Sequence, residues 1–169
     1  MLSLYVMRHA KSSWKNKNLI DFERPLSKKG QAEIKAILKF FKIKKIKFDL
    51  AYVSSAKRTK QTFKKIKKKI KIKKFLIKKK LYLADENLIL NFIKTTKRKY
   101  KNLLLINHEP ACKNLMIKLI KKKYLKSIKK NFATSGIAHI KFNSNNWANI
   151  KISSGELIFF KNPKDFLRI

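Results

Sequence analysis

Two apolar runs break off sharply into polar pairs: Leu4-Tyr5-Val6-Met7 into Arg8-His9, and Leu103-Leu104-Leu105-Ile106 into Asn107-His108. In a chain with 45 Lys and Arg among 169 residues, an uninterrupted apolar run marks a strand covered on both faces rather than an amphipathic surface element. Such strands belong to α/β proteins, where ligands bind just beyond the carboxyl ends of the strands. Arg8 and His9 are therefore expected at the mouth of a cleft, on a rigid support.

The rest of the chain fits this class. Residues 2–7 predict the first strand. Ser27 is a plausible N-cap, and the recurrence of Ala32, Ala36, Ile37, Phe40 and Phe41 predicts a helix over about 28–41. Asp49 to Val53 predicts a second strand ending at Ser54-Ser55, followed by a helix from near Ala56 that carries Arg58, Thr62, Phe63 and Ile66. The lysine-rich stretch 64–80 keeps an Ile and Phe spacing that predicts a strand near 75–78. A loop at 81–86 leads to a helix through Ile93, and the apolar run at 102–106 precedes a helix whose first turn holds Pro110 and whose stripe is Cys112, Leu115, Met116, Leu119 and Ile120. Strand-like runs at 137–142, 147–152 and 156–160 read as antiparallel edge strands. The βαβα order predicts a three-layer α/β/α sandwich, with a mostly parallel central sheet, formed by a single domain over 1–169.

The net charge of +36 admits a polyanion-binding protein. Lysine outnumbers arginine by 40 to 5, and Ile, Asn and Phe are also abundant, which fits drift toward AT-rich codons better than dedicated nucleic-acid recognition. Arginines that survive this bias are informative, because a planar guanidinium fork does what lysine cannot. They are Arg8, Arg24, Arg58, Arg98 and Arg168, and the last two are read as chance survivors. The single cysteine, Cys112, rules out an intrachain disulfide and is read as a small buried residue. His9, His108 and His139 lack close ligand spacing, so no metal is expected, and His139 is read as structural. No apolar run reaches the ~20 residues of a membrane span, and no leader is visible, so a cytoplasmic protein is expected, without membrane partner and monomeric.

Three polar clusters follow three strands: Arg8-His9, Ser54-Ser55 with Arg58, and Asn107-His108. If the strands are parallel, two arginines and two histidines converge on one pocket. That set can hold a phosphoryl group, and a neutral imidazole can attack phosphorus. Trp14 and Lys11 are placed either at the cleft mouth or in ordinary surface packing.

These clusters occur within longer motifs, namely Met7-Arg8-His9-Ala10-Lys11-Ser12-Ser13-Trp14, Asp21-Phe22-Glu23-Arg24-Pro25-Leu26-Ser27, Ser54-Ser55-Ala56-Lys57-Arg58-Thr59-Lys60-Gln61-Thr62, His108-Glu109-Pro110 and Thr134-Ser135-Gly136-Ile137-Ala138. In this order and spacing the sequence resembles the histidine phosphatase superfamily, most closely its short SixA-type phosphohistidine phosphatase branch. The resemblance implies a phosphoglycerate-mutase-like fold and no metal or organic cofactor. It implies His9 as the nucleophile, Arg8, Arg58 and His108 completing the phosphate pocket, and Ser135 and Gly136 among the substrate-binding residues. Many relatives use a carboxylic acid on the leaving group; the candidates here are Asp85 or Glu86, with Asp21 an alternative that equally fits a structural pairing with Arg24. The chain departs from the family pattern at Asn107, where relatives often carry Gly or Ser, and Asn tolerates a left-handed backbone. Expected substrates are a phosphorylated protein, such as one bearing phosphohistidine, or a small phosphorylated metabolite. A degenerate phosphatase fold that binds polyanions is the competing reading. The short chain argues against a mutase.

Overall fold

A computed structural model describes residues 1–166; Arg168 lies outside them. Six strands form one sheet in the order β3-β2-β4-β1-β5-β6: β1 (Leu2–Arg8), β2 (Phe48–Ser54), β3 (Ile72–Lys78), β4 (Asn102–Asn107), β5 (Ile137–Phe142) and β6 (Glu156–Lys161). β3, β2, β4 and β1 run parallel, whereas β5 and β6 are antiparallel additions beside β1. The helices are α1 (Lys28–Ile43), α2 (Lys57–Lys67), α3 (Glu86–Lys94), α4 (Ala111–Leu119) and a short α5 (Pro163–Phe166).

Alternation along the buried strands builds the two outer layers. Leu4, Val6, Leu50, Tyr52, Leu103 and Leu105 face one side, where Ile89, Ile93, Leu115, Met116 and Leu119 of α3 and α4 cover them. Tyr5, Met7, Ala51, Val53, Leu104 and Ile106 face the other, against Ile34, Ile37, Phe40, Phe41, Phe63 and Ile66 of α1 and α2. A strand apolar at every position has nowhere to go but between two such layers. The predicted α/β/α sandwich is therefore the observed one.

The start of α1 is fastened to the loop that leaves β1. The Ser27 hydroxyl accepts from the Gly30 N–H at 3.1 Å, as its N-cap reading requires. The Ser27 N–H and hydroxyl both donate to the Lys11 carbonyl. Gly30 packs so close to this loop that a Cβ there would lie 2.2 Å from the Lys11 carbonyl oxygen.

The structure corrects several expectations. The run at 147–152 is not a strand. Trp147–Asn149 is a 3₁₀ turn capped by the Asn146 side chain, and the fully buried Trp147 donates its indole N–H to the Tyr100 carbonyl. An alternating pattern arose there because one large ring plugs a gap in the core. β5 is not an edge strand: it lies between β1 and β6, and Ile137 to Ile140 are buried. β3 begins at Ile72, earlier than predicted. Pro110 occupies the N-cap of α4 rather than its first turn, after a cis Glu109–Pro110 peptide. Asn107 does not use a left-handed backbone. It ends β4 in register with Arg8, while among the described residues the left-handed non-glycine positions are Lys45, Leu83, Ser135 and Ser153.

His139 is structural, as expected. It stacks on Tyr5 with ring centroids 4.0 Å apart, and its Nε2 is buried without a partner. Burial, helped by Lys141, lowers its pKa from 6.5 to about 4. The folded state therefore binds fewer protons than the unfolded chain between those values, and stability falls as pH drops through that window. This group alone removes about 2 kcal/mol by pH 5. His139→Phe keeps the stacking and abolishes that titration. Urea unfolding at pH 7 and pH 5 should show a smaller acid-induced loss in the variant than in the parent; equal losses would acquit His139.

Candidate active site

Parallel β1, β2 and β4 end side by side, so the residues following them share one edge of the sheet. His9 leaves β1 with its backbone held on both sides: its N–H donates to the Asn107 carbonyl, and its carbonyl accepts from the Ser135 N–H. The ring is fixed as well. Nδ1 lies 2.8 Å from the Ala10 carbonyl, which can only accept, so Nδ1 carries the proton. Arg58 Nε donates to His9 Nε2 at 3.1 Å, which identifies Nε2 as the nitrogen with the free lone pair.

Arg58 projects from the first turn of α2 and joins every part of the site. One terminal nitrogen donates to the Asp21 carbonyl, and the other donates to Asp21 Oδ2 at 2.9 Å and to His108 Nδ1 at 3.1 Å. Because a guanidinium only donates, His108 accepts at Nδ1 and carries its proton on Nε2, which donates to Ser54 Oγ at 2.8 Å. The two imidazoles stand 5.1 Å apart, centroid to centroid. Thr62 supports this arrangement from the next turn of α2: its hydroxyl donates to the Arg58 carbonyl and accepts from the Ala10 N–H. Arg8 donates through Nη1 to the Phe132 carbonyl at 2.9 Å.

Arg8, His9, Arg58 and His108 line a cavity of about 310 Å³, together with Lys11, Ser12, Trp14, Asp21, Arg24, Glu109 and Thr134. Its electrostatics are uneven. Burial lowers the His9 pKa to about 3; its hydrogen bond to Ala10 opposes the shift, and nearby His108, Arg58 and Arg8 reinforce it. Burial and Arg58 likewise bring His108 to about 4. Both rings are therefore neutral at physiological pH. Burial alone would raise Asp21, but hydrogen bonds from Arg58 and Tyr82 outweigh it and leave the carboxylate below its ordinary range. Glu109 shifts the other way: burial raises it, and the opposing Lys113 N–H and Arg8 charge are too weak to cancel that. A cavity with three arginines and two neutral imidazoles, one with its lone pair held only by a guanidinium N–H, can bind a tetrahedral oxyanion and attack its central atom.

Arg8, His9, Arg58 and His108 are thus brought together. Other expected residues are placed elsewhere. Asp85 caps α3 by accepting from the Leu88 N–H at 2.8 Å, and Glu86 pairs with Lys118 at 3.7 Å, both outside the cavity lining. Their positions follow from helix-start chemistry, which favours acids at an N-cap and first turn. The Ser135 hydroxyl donates to Glu33, and the N–H groups of Ser135 and Gly136 are taken by the His9 and Ala133 carbonyls. They brace the strand end instead of facing the cavity, where Thr134 stands. Asp21 pairs with Arg24 at 3.1 Å, as one reading had it, and with Arg58 as well. Arg24 also stacks on Trp14, with its guanidinium carbon 3.1 Å from the ring centroid, and donates to the Ser12 hydroxyl, so both residues wall the cavity. Cys112 is buried. Arg98 is exposed. Sequence reasoning assigned no role to Tyr82, Thr62 or Glu109; only Glu109 carried a signal, its place beside His108.

Among the described residues, no group of three or more His, Cys, Asp or Glu side chains is arranged to hold a metal ion, and no helix is long and apolar enough to cross a membrane.

Residues 4–81 match the family model of the histidine phosphatase superfamily (branch 1). The fold matches a chain from Agrobacterium tumefaciens assigned as the phosphohistidine phosphatase SixA, with a TM-score of 0.83 and 24% identity over 96% of this chain and 98% of that one. It matches the protein histidine phosphatase SixA complexed with tungstate at 0.79 and 21%, covering 97% and 99%. A phosphoserine phosphatase from Entamoeba histolytica, in complex with 3-phosphoglyceric acid, follows at 0.63 and 16%, covering 98% and 100%. No curated protein matches the sequence significantly. The N-terminal part thus carries this superfamily's sequence pattern, and the whole described chain carries the phosphoglycerate-mutase-like fold of its SixA structures.

The hydrogen bonds fix opposite tautomers for the two site histidines. Imidazole nitrogen NMR at pH 7 should show His9 protonated at Nδ1 and His108 at Nε2, with neither ring charging until the pH falls below about 5. A ring titrating near 6.5 would contradict the burial and cationic surroundings described above.

Proposed function

We propose that residues 1–169 form one histidine phosphatase unit that hydrolyses phosphohistidine through a phosphorylated His9. The observation that carries this reading is the orientation of His9: neutral, with Nδ1–H tied to Ala10, and Nε2 directed at the Arg58 guanidinium inside an arginine-lined cavity. As a phosphoryl group enters, the Arg58 N–H groups turn to its oxygens and free the Nε2 lone pair. Nε2 attacks phosphorus, and the bond to the leaving nitrogen breaks. Arg8, Arg58 and His108 stabilise the charge on the equatorial oxygens. Water then attacks phospho-His9 and releases inorganic phosphate. Two steps with a good nucleophile and a good leaving group replace one difficult hydrolysis.

A protein-borne phosphoryl group is favoured over a small metabolite by the rim. Trp14, which lines the cavity, is 68% exposed, as is Ile20 beside Asp21, and Leu83 beside Tyr82 is 80% exposed. These exposed side chains, on or next to residues of the site, offer contacts that a protein substrate can use and a small metabolite cannot. The likeness to SixA phosphohistidine phosphatases points the same way. The net charge of +36 draws anionic substrates whatever its origin.

The test is phosphate release from a histidine-phosphorylated protein and from a panel of phosphorylated metabolites, with alkaline mass spectrometry to trap phospho-His9. His9→Ala should abolish release and trapping. Arg58→Ala should lower kcat/KM about 10²–10³-fold, and Arg58→Lys should recover little of it, because one ammonium cannot span both histidines and a phosphoryl oxygen. Full turnover by His9→Ala excludes the mechanism. A preference for the metabolites transfers the activity to that class.

A further inference from the structure

We infer that Glu109 is the proton donor to the leaving group and the base that activates water in the second step; this rests on the phosphatase reading above. Two carboxylates line the catalytic cavity, and their surroundings drive them apart. Asp21 is occupied by two guanidinium groups and the Tyr82 hydroxyl, so it holds Arg58 as a permanent anion. Glu109 makes a single hydrogen bond among the described residues: Oε1 accepts from the Lys113 N–H at 3.0 Å. That bond anchors the side chain at the start of α4 and leaves Oε2 uncommitted, on a residue that lines the same cavity as His9 and Arg8. When two acids in one site are pushed apart in this way, the one with the raised pKa is the group that exchanges protons. The other acids considered cannot compete: Asp85 and Glu86 lie outside the cavity lining.

The charged and titratable groups around Glu109 are Arg8 at the end of β1, Lys113 and Cys112 on α4, and, lining the same cavity, Lys11, Arg24, Arg58, Asp21 and the two histidines. Arg8 and Lys113 favour the carboxylate, yet burial prevails. A phosphoryl dianion beside the carboxyl pushes it further toward the protonated form. In the first step the N–P bond of the substrate breaks as the His9 Nε2–P bond forms, and the Glu109 proton passes to the departing imidazole nitrogen. In the second step water adds to phosphorus, the His9–P bond breaks, and Glu109 takes the proton from the water. Both groups return to their starting state.

Glu109→Gln preserves an acceptor for the Lys113 N–H, so the start of α4 stays capped. Leaving-group dependence then separates a proton donor from a cap. Against p-nitrophenyl phosphate, whose phenolate leaves unaided, Glu109→Gln should hold the first chemical step within about threefold of the parent in single-turnover bursts. Against a phosphohistidine peptide it should lose about 10²–10⁴-fold, together with the basic limb of the kcat/KM profile, and Glu109→Asp should recover part of both. Equal losses on the two substrates, or none, would overturn the assignment. Sulfate binding by calorimetry provides a readout that needs no turnover. Affinity in the parent should fall as pH rises through the Glu109 titration, and Glu109→Gln should remove that component; identical pH dependence in both proteins would also overturn it. If the parent hydrolyses neither substrate, the phosphatase reading fails, and the sulfate titration alone decides whether an ionising carboxyl faces the anion.

Discussion

One guanidinium holds the site together. Arg58 reaches His9, His108 and Asp21 at once, so groups separated by up to a hundred residues of chain meet on a single planar fork. Its geometry fixes the tautomers of both imidazoles, since it can only donate to them. It also adds to the positive field that keeps them neutral. Asp21 is needed for the same reason: without a fixed anion, a buried guanidinium beside a second arginine is costly to desolvate. The cavity is therefore best understood as an ion network in which Arg58 bonds to the lone pair of His9 Nε2, to His108 and to Asp21 together.

The scaffold makes that network possible by being stiff where it matters. β1, β2 and β4 are apolar on both faces and lie between two helical layers, which leaves their ends little freedom. The loop from His9 to Ser12 would be the weak point, yet it is tied on several sides. Ser135 and Asn107 hold the His9 backbone, Thr62 holds Ala10, and Ser27 with the close-packed Gly30 holds Lys11. Pre-positioning of this kind fixes the His9 ring before any ligand enters.

Asn107 shows how an awkward polar residue at a strand end can be absorbed. Its backbone completes β4 and supports His9, a role any residue can play. Its side-chain amide bears the cost: both polar atoms are buried without a partner, as is Arg8 Nε on the paired strand residue. Arg8 lines the cavity and Asn107 pairs with it at the strand end, where an unmet hydrogen-bonding demand is tolerated because two buried layers over-determine the strands.

The sequence by itself determined the layered fold and the meeting of Arg8, His9, Arg58 and His108. Both follow from local pattern: apolar runs can only be doubly covered strands, and parallel strands deliver whatever follows them to one edge. It determined Ser27 as a cap for equally local reasons. The roles of the acids were decided by the tertiary structure. Asp85 and Glu86 looked suitable in a loop, but they serve helix α3, whereas Asp21 and Glu109 were brought to the cavity by the path of the chain. The 3₁₀ turn at Trp147 and the interior place of β5 were also beyond reach of the sequence, because an alternating pattern reports that side chains are buried and not what they are buried against. Charge state belongs to the same category. A carboxyl or an imidazole has its ordinary pKa until burial and its neighbours are known, and those exist only once distant segments have come together.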